Sequence, residues 1–280
     1  MIALLTLGIL IATVTTGAAT FELPRLSIKD FSVDLLRWLG DLVLFTGRVI
    51  RAMFSRPFEF AEFFRQLDSI GAKSLPLAAL AGAATGVVLS METSDSLARF
   101  GARSMLPAVI IFSLVKETGP IITGLVVSGR VGAGIGAELG SMKVTEQIDA
   151  MEASAVNPFK FLAATRVLAC IVALPLLTLA ADFCGIFMGW FADTLSQPIS
   201  LQLFINKGLN GATFNDVLPP TLKTLVFGMI IGLVSSFQGM NSSGGTEGVG
   251  RSATSAVLLS SLFIILADVL LVRVIIVFFS

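Results

Sequence analysis

From residue 75 to its end, the chain alternates long apolar segments with short polar ones. Five of the apolar segments approach or exceed the roughly 20 residues that a helix needs to cross the hydrocarbon core of a membrane. They are residues 75–91, 104–128, 159–191, 222–237 and 253–279. These segments are too long and too evenly apolar for barrel strands, so they predict five transmembrane helices. The third is long enough to tilt or to break near Pro175.

Residues 31–64 show a different pattern, in which apolar positions recur at helical spacing among charged ones. The apolar set is Leu35, Leu36, Leu39, Leu42 and Val43, and the charged set is Asp34, Arg37, Asp41, Arg48 and Arg51. The pattern predicts amphipathic helices that lie in the membrane interface and are broken at Pro57. An ordinary surface helix is the alternative. Residues 1–20 are apolar without a basic start, so an extra span, an uncleaved anchor and an extended start stay open.

Composition agrees with one all-helical membrane domain. The 280 residues are 55% hydrophobic and 14% charged, with a mean hydropathy of +0.90, whereas a soluble domain carries about 25% charged residues. We expect an N-terminal extension at residues 1–30, interfacial helices at 31–68 and a membrane bundle at 69–280. Nineteen basic and nineteen acidic residues cancel, and we expect no nucleic-acid partner.

The residue types needed for common catalytic and metal sites are scarce. The chain has no histidine and no tyrosine, which removes the commonest general bases and the imidazole metal ligands. Cys170 and Cys184 stand in apolar segments without metal-ligand spacing, so we interpret them as packing residues. The acidic residues are scattered and suggest no catalytic set. We therefore expect no enzymatic activity, no metal site and no cofactor held by this chain.

Basic residues are concentrated before the first predicted span. They are Arg37, Arg48, Arg51, Arg56, Arg65 and Lys73. By the positive-inside bias, this side of the membrane is the cytoplasm. Five crossings then place the segment between spans 2 and 3 in the cytoplasm and the C-terminus outside.

Glycines recur at helical spacing in and after the spans. The G-x-x-x-G pairs are Gly82 with Gly86, Gly185 with Gly189, and Gly228 with Gly232. Such spacing lets helix backbones approach closely, either within a compact bundle or at a dimer seam. Gly132, Gly136 and Gly140 also share one helical face, so we expect the end of span 2 to pack against another backbone.

A polar segment follows this glycine-rich passage on the predicted cytoplasmic side. Its members are Glu138, Lys143, Glu146, Gln147, Asp149 and Glu152. They offer a polar surface to a soluble partner, and a helix in this place is the coupling element that an ABC permease presents to its ATPase. A solvated connecting helix is the alternative that charge patterning leaves open.

Two stretches of the chain carry sequence motifs. The first runs from Glu117-Thr-Gly-Pro through Gly129-Arg-Val-Gly-Ala, Ala137-Glu-Leu-Gly-Ser-Met and Thr145-Glu-Gln-Ile-Asp-Ala to Asn157-Pro. The second is Gly244-Gly-Thr-Glu-Gly-Val-Gly-Arg, before the last span. Together they resemble the signature of the MlaE (YrbE) family of permeases. The resemblance covers about residues 49–279 and leaves residues 1–30 outside.

The chain departs from this family pattern at two positions. Lys116 stands where the family commonly has Arg, and a lysine lacks the planar fork for bidentate contacts. Asn157 stands where the family commonly has Asp before proline. Asn157 is still expected to cap a helix, with Pro158 at its first position.

The resemblance implies the permease subunit of an ABC transporter that moves phospholipid between inner and outer membranes, in either direction. It implies a homodimer in the inner membrane, a separate cytoplasmic ATPase that binds the ATP, and a periplasmic MCE-domain protein. A small STAS-domain protein is a further partner that it allows. A secondary transporter or channel subunit without an ATPase is the alternative. Inverted internal repeats would favour a secondary transporter, and the two halves of the chain show no convincing repeat.

Charged residues inside the predicted spans mark a transport pathway or a structural pair, because charge at that depth is costly. Lys116 and Glu117 fall near the middle of span 2, Lys223 near the outer end of span 4, and Asp268 in the outer half of span 5. The resemblance places them at an outward-facing lipid cavity. We expect Lys116 and Lys223 to contact the lipid phosphate there or to balance Glu117 and Asp268. The alternative is that Lys116 pairs with Glu117 and Lys223 with Asp268 only to hold helices together.

Overall fold

The computed structural model describes residues 28–56, 59–196, 198–210 and 214–279, and every regular element in these ranges is helical. The helices are α1 (Ile28–Met53), α2 (Phe60–Ile70), α3 (Leu75–Arg99), α4 (Leu106–Ser113), α5 (Gly119–Val127), α6 (Ala133–Val144), α7 (Gln147–Ala153), α8 (Thr165–Ser196), α9 (Leu201–Leu209), α10 (Phe214–Met240) and α11 (Gly245–Phe279). Short 3₁₀ turns precede α3 and α4, at Ala72–Ser74 and Arg103–Met105. Wider π-helical turns precede α5, α6 and α8, at Leu114–Thr118, Ser128–Gly132 and Phe159–Ala164. Pro57 and residues 1–27 lie outside the described ranges, and so does most of the predicted N-terminal extension.

Five helical stretches in the described part of the chain are long and apolar enough to cross a membrane, which confirms the predicted fold class. Span 1 is Phe60–Arg99, span 2 is Arg103–Val144, span 3 is Phe159–Leu195, span 4 is Asp216–Met240 and span 5 is Gly245–Phe278. Most of them extend beyond their apolar segments, and in span 2 the glycine-rich passage is itself helical. Pro175 lies inside α8, which runs unbroken.

Glycines bring the spans into close contact. Gly82 and Gly86 of span 1 face the backbone of Ala181 and Gly185 in span 3, and a Cβ on either would lie 2.8 Å from the opposing Cα. Spans 3 and 4 meet in the same way, since a Cβ on Gly232 would lie 2.7 Å from the Cα of Val167. These contacts are within one chain, so the compact-bundle interpretation of the G-x-x-x-G pairs is confirmed for them.

Helix α1 lies against the bundle at the end that carries α7. Its residues Phe45, Val49 and Ala52 are buried with residues of spans 3 and 4, among them Val167 and Phe237. The remaining surface of α1 leaves several large apolar residues exposed, among them Leu36, Leu39, Val43, Leu44 and Ile50. This division into one face on the bundle and one exposed apolar face fits a helix embedded in the membrane interface.

Candidate functional site

Lys223 of span 4 is buried between two carboxylates from different spans. Its Nζ lies 2.7 Å from Oε2 of Glu117 in span 2 and 2.9 Å from Oδ1 of Asp268 in span 5. The side chains of Lys223 and Asp268 are 1% and 6% exposed, whereas that of Glu117 is 43% exposed. Three of the residues predicted from sequence therefore meet in one cluster. Its Asp268 side is buried in the protein, and its Glu117 side is exposed at the surface.

A π-helical turn places Glu117 at this cluster. The turn, Leu114–Thr118, is followed by Gly119 and Pro120, and the missing N–H of Pro120 removes one regular helical hydrogen bond at this point. Gly119 lies against the carboxylate of Asp182 in span 3, where a Cβ would clash. Wide turns of this kind are frequent at functional sites, because they redirect the side chains of a helix.

Lys116 contacts a different residue from the one that the sequence suggested. Its Nζ lies 2.7 Å from Oδ1 of Asp216, at the start of span 4, and 5.1 Å from the centre of the Phe112 ring. The alternative pairing of Lys116 with Glu117 is therefore not the one found. The Lys116 side chain is 48% exposed, so Lys116 and Glu117 form the accessible edge of the charged region.

The predicted coupling segment lies at the other end of span 2. Helix α6 ends at Val144, and Glu146 adopts a left-handed backbone conformation, with φ of 59°, that turns the chain into α7. The Nζ of Lys143 lies 2.8 Å from Oδ1 of Asp149, which ties the two helices together. Ile148 is buried, so α7 is anchored on one side. The side chains that α7 leaves exposed include Gln147, Asp149 and Glu152.

Glu138 contacts an arginine that was not among the residues predicted from sequence. Arg166 of span 3 is 2% exposed, and its Nη2 lies 2.8 Å from Oε1 of Glu138, while its Nη1 donates a hydrogen bond to the Leu162 carbonyl. Arg166 and Asp182 both interrupt the third apolar segment. The rule that charged residues within a span are functional or paired would have selected them as well.

The glycines at the end of span 2 pack against span 5. Added Cβ atoms on Gly132, Gly136 and Gly140 would lie 3.9, 3.1 and 3.6 Å from the Cα atoms of Val257, Ala253 and Val249, respectively. All three partners lie four residues apart on α11, so the two helices run along each other here. The glycines therefore set the position of the segment that leads to α7.

Asn157 caps the beginning of span 3. Its side-chain Oδ1 accepts a hydrogen bond of 3.0 Å from the backbone N–H of Phe159. This contact confirms the predicted cap. In the described ranges, no group of three or more Cys, Asp and Glu residues is arranged to hold a metal ion.

Comparison with known proteins identifies the family. A family model described as Permease MlaE matches residues 63–274. The chain belongs to the MlaE permease family. A probable ABC transporter permease protein of Rickettsia typhi is 35% identical over 244 residues, which cover 87% of this chain and 94% of the relative. A probable ABC transporter permease protein of Synechocystis sp. is 32% identical over 238 residues, covering 84% of this chain and 90% of the relative.

A plant relative is also similar to this MlaE permease over most of its length. The chloroplastic protein TRIGALACTOSYLDIACYLGLYCEROL 1 of Arabidopsis thaliana is 29% identical over 260 residues, which cover 92% of this chain and 74% of the relative. The resemblance seen in the motifs is thus confirmed. The protein is a multi-pass membrane permease of the ABC transporter class, and this class implies an ATPase partner.

Proposed function

We propose that this MlaE permease moves phospholipid between two membranes as the transport subunit of an ABC transporter. The observation that carries the proposal is the buried Lys223, shared by Glu117 and Asp268, with Glu117 accessible. A phospholipid phosphate has the charge and the acceptor oxygens to compete with Glu117 for the Lys223 ammonium. Lys116, half exposed beside Glu117, supplies a second cation at the mouth of the same site.

A homodimer would enclose this site. Span 5 is the most apolar of the five spans and the least buried within one chain. Around the buried Asp268, its residues Leu266, Val269 and Leu270 are exposed. Two copies that face each other across this surface would form a cavity with apolar walls for acyl chains and the Lys223 cluster for the phosphate. Homodimerisation also suits the symmetric assemblies that are common among oligomers.

The proposed orientation, with α7 in the cytoplasm, follows from the basic residues before the apolar segment of span 1. The inner membrane is the location that the family resemblance implies. On the cytoplasmic side, the exposed Gln147 and Asp149 of α7 contact the ATPase, which binds and hydrolyses the ATP. The lipid site then opens toward the opposite side, where a periplasmic MCE-domain protein exchanges lipid with it. A small STAS-domain protein is a further partner on the cytoplasmic side. The name of the Arabidopsis relative contains that of a galactolipid, which agrees with a lipid as the transported molecule.

The test is lipid transfer by the reconstituted complex. The permease is co-purified with its ATPase and MCE-domain partners, placed in proteoliposomes, and assayed for ATP-dependent transfer of a fluorescent phospholipid to acceptor vesicles. Lys223→Met is expected to lower the transfer rate about tenfold or more, since it removes the charge-assisted contact to the phosphate. Lys207→Met is the matched control, because Lys207 is an exposed lysine of α9 outside the cluster.

Two outcomes would contradict the proposal. Wild-type transfer rates in Lys223→Met, in an intact complex, would remove the cluster from the lipid path. Purification of the permease without an ATPase, in detergent that preserves a control ABC complex, would favour a secondary transporter or channel subunit.

A further inference from the structure

A second charged cleft lies at the end of the bundle that carries α7. It has a volume of about 330 Å³ and is enclosed by α1, the α6–α7 turn and the adjoining ends of spans 3 and 4. Its charged lining residues are Asp41, Arg48, Lys143 and Glu152, and its apolar lining includes Phe45 and Phe237. None of the Lys223 cluster contributes to it, so the cleft is separate from the proposed transport site.

Arg48 lines this cleft from α1. Its guanidinium lies 5.7 Å from the centre of the Phe159 ring, and no ion pair within the described ranges includes it. Lys143 faces the same cleft from α6, with Asp149 2.8 Å from its Nζ. Arg48 and Lys143 therefore present positive charge from two sides of the cleft, while Asp41 and Glu152 present negative charge.

An interfacial position of α1 would place this cleft at the depth of lipid headgroups. Helix α1 has an exposed apolar face that fits the membrane interface, and its exposed Leu44 is also part of the cleft lining. An acyl chain that passes Leu44 would therefore lead from the membrane to the charged residues. Basic pockets at the cytoplasmic ends of transmembrane helices are a known type of lipid headgroup site.

We propose that this cleft binds the headgroup of an aminophospholipid from the leaflet on the α7 side. The phosphate lies between Arg48 and Lys143, and the ammonium faces Asp41 and Glu152. A headgroup with both charges matches this lining better than a purely anionic one, because two carboxylates would repel the latter. The bound lipid joins α1 to the α6–α7 turn. Its binding requires neither ATP nor transport, so it goes beyond the proposed function.

Photocrosslinking of the full chain tests this site. The permease is reconstituted in vesicles of phosphatidylethanolamine and phosphatidylglycerol that contain a trace of phosphatidylethanolamine with a diazirine near its glycerol. Crosslinks located by mass spectrometry are expected at Leu44, Phe237 or Met240. Arg48→Gln is expected to lower this labelling roughly fivefold, the effect of one basic residue near a lipid surface. Arg51→Gln is the matched control, because Arg51 is exposed on the same helix and outside the cleft.

Further measurements distinguish a bound lipid from other occupants of the cleft, and the cleft from the transport site. Lys223→Met is expected to keep full labelling, even where transport is lost. Equal labelling in wild type and Arg48→Gln would overturn the proposal. Displacement of the lipid by inorganic phosphate would assign the cleft to a soluble phosphate, and loss of labelling on addition of the ATPase subunit would assign it to a protein interface. Either result would also overturn it.

Discussion

The guanidinium of Arg166 lies 2.8 Å from the carboxylate of Glu138 and joins the beginning of span 3 to the end of span 2. Arg166 is buried, whereas Glu138 is half exposed. A charge buried without its partner destabilises a fold strongly, and Glu138 is the carboxylate that pairs with Arg166 in the described part of the chain. Because α6 leads directly into α7, the pair fixes the segment that we propose to contact the ATPase.

Glu138→Ala is expected to destabilise the permease by about 3 kcal/mol, because it leaves Arg166 buried and unpaired. The measurement is the thermal unfolding midpoint of the detergent-purified protein. Glu247→Ala is the control: it removes the acid of an exposed pair, with Arg251 3.3 Å away, and should change stability by at most about 1 kcal/mol. Equal losses of stability in the two variants would show that the contact with Arg166 contributes no more than an exposed ion pair.

The Lys223 cluster is expected to affect stability and transport separately. Lys223→Met leaves Glu117 and Asp268 facing each other without their cation, and should cost about 3 kcal/mol. Adding Glu117→Gln and Asp268→Asn removes the uncompensated charges, so the triple variant should regain most of the thermal stability. Lipid transfer should stay lost in both variants. A triple variant that regains transport as well would show that the cluster only holds the helices together.

Gly86→Ala and Gly134→Ala are expected to change stability in opposite directions. A Cβ on Gly86 would lie 2.8 Å from the Cα of Gly185, so spans 1 and 3 must separate, at a cost of about 1–3 kcal/mol. A Cβ on Gly134 meets nothing within 4 Å, and alanine in a helix is favoured by about 0.5–1 kcal/mol. Thermal unfolding of the two variants side by side checks this, and a common sign would contradict it.

Two alanines, Ala155 after α7 and Ala150 within it, test the backbone conformation of the turn that follows α7. Ala155 has a φ of 61°, a left-handed conformation that costs a residue with a Cβ about 1–2 kcal/mol. Ala155→Gly should therefore be neutral or stabilising. Ala150 is an exposed residue within α7, where glycine should cost about 1 kcal/mol. Unfolding midpoints that fall equally in both variants would contradict the assigned turn.

Local features of this protein were predictable from local sequence. The five spans follow from the lengths of the apolar segments, and the two-faced α1 from its apolar period. Asn157 before Pro158 predicted the cap that Phe159 completes. Each of these depends on residues close together in the chain, whose preferences tertiary contacts did not override.

The partners of the charged residues were not predictable in this way. The sequence suggested Lys116 with Glu117 and Lys223 with Asp268, whereas Lys223 holds both carboxylates and Lys116 contacts Asp216. The π-helical turn at Leu114–Thr118 changes the direction of both side chains, and a pattern counted at regular helical spacing contains no sign of it.

The sequence by itself determined that this is an MlaE permease with five apolar helices, because membrane burial constrains each segment separately. Charge within the apolar segments also selected Glu117, Lys223 and Asp268 as candidate site residues. Only the tertiary structure decided that these three residues meet and that Arg166 holds Glu138. Both depend on which faces of distant helices come into contact, and that is set by packing over the whole bundle.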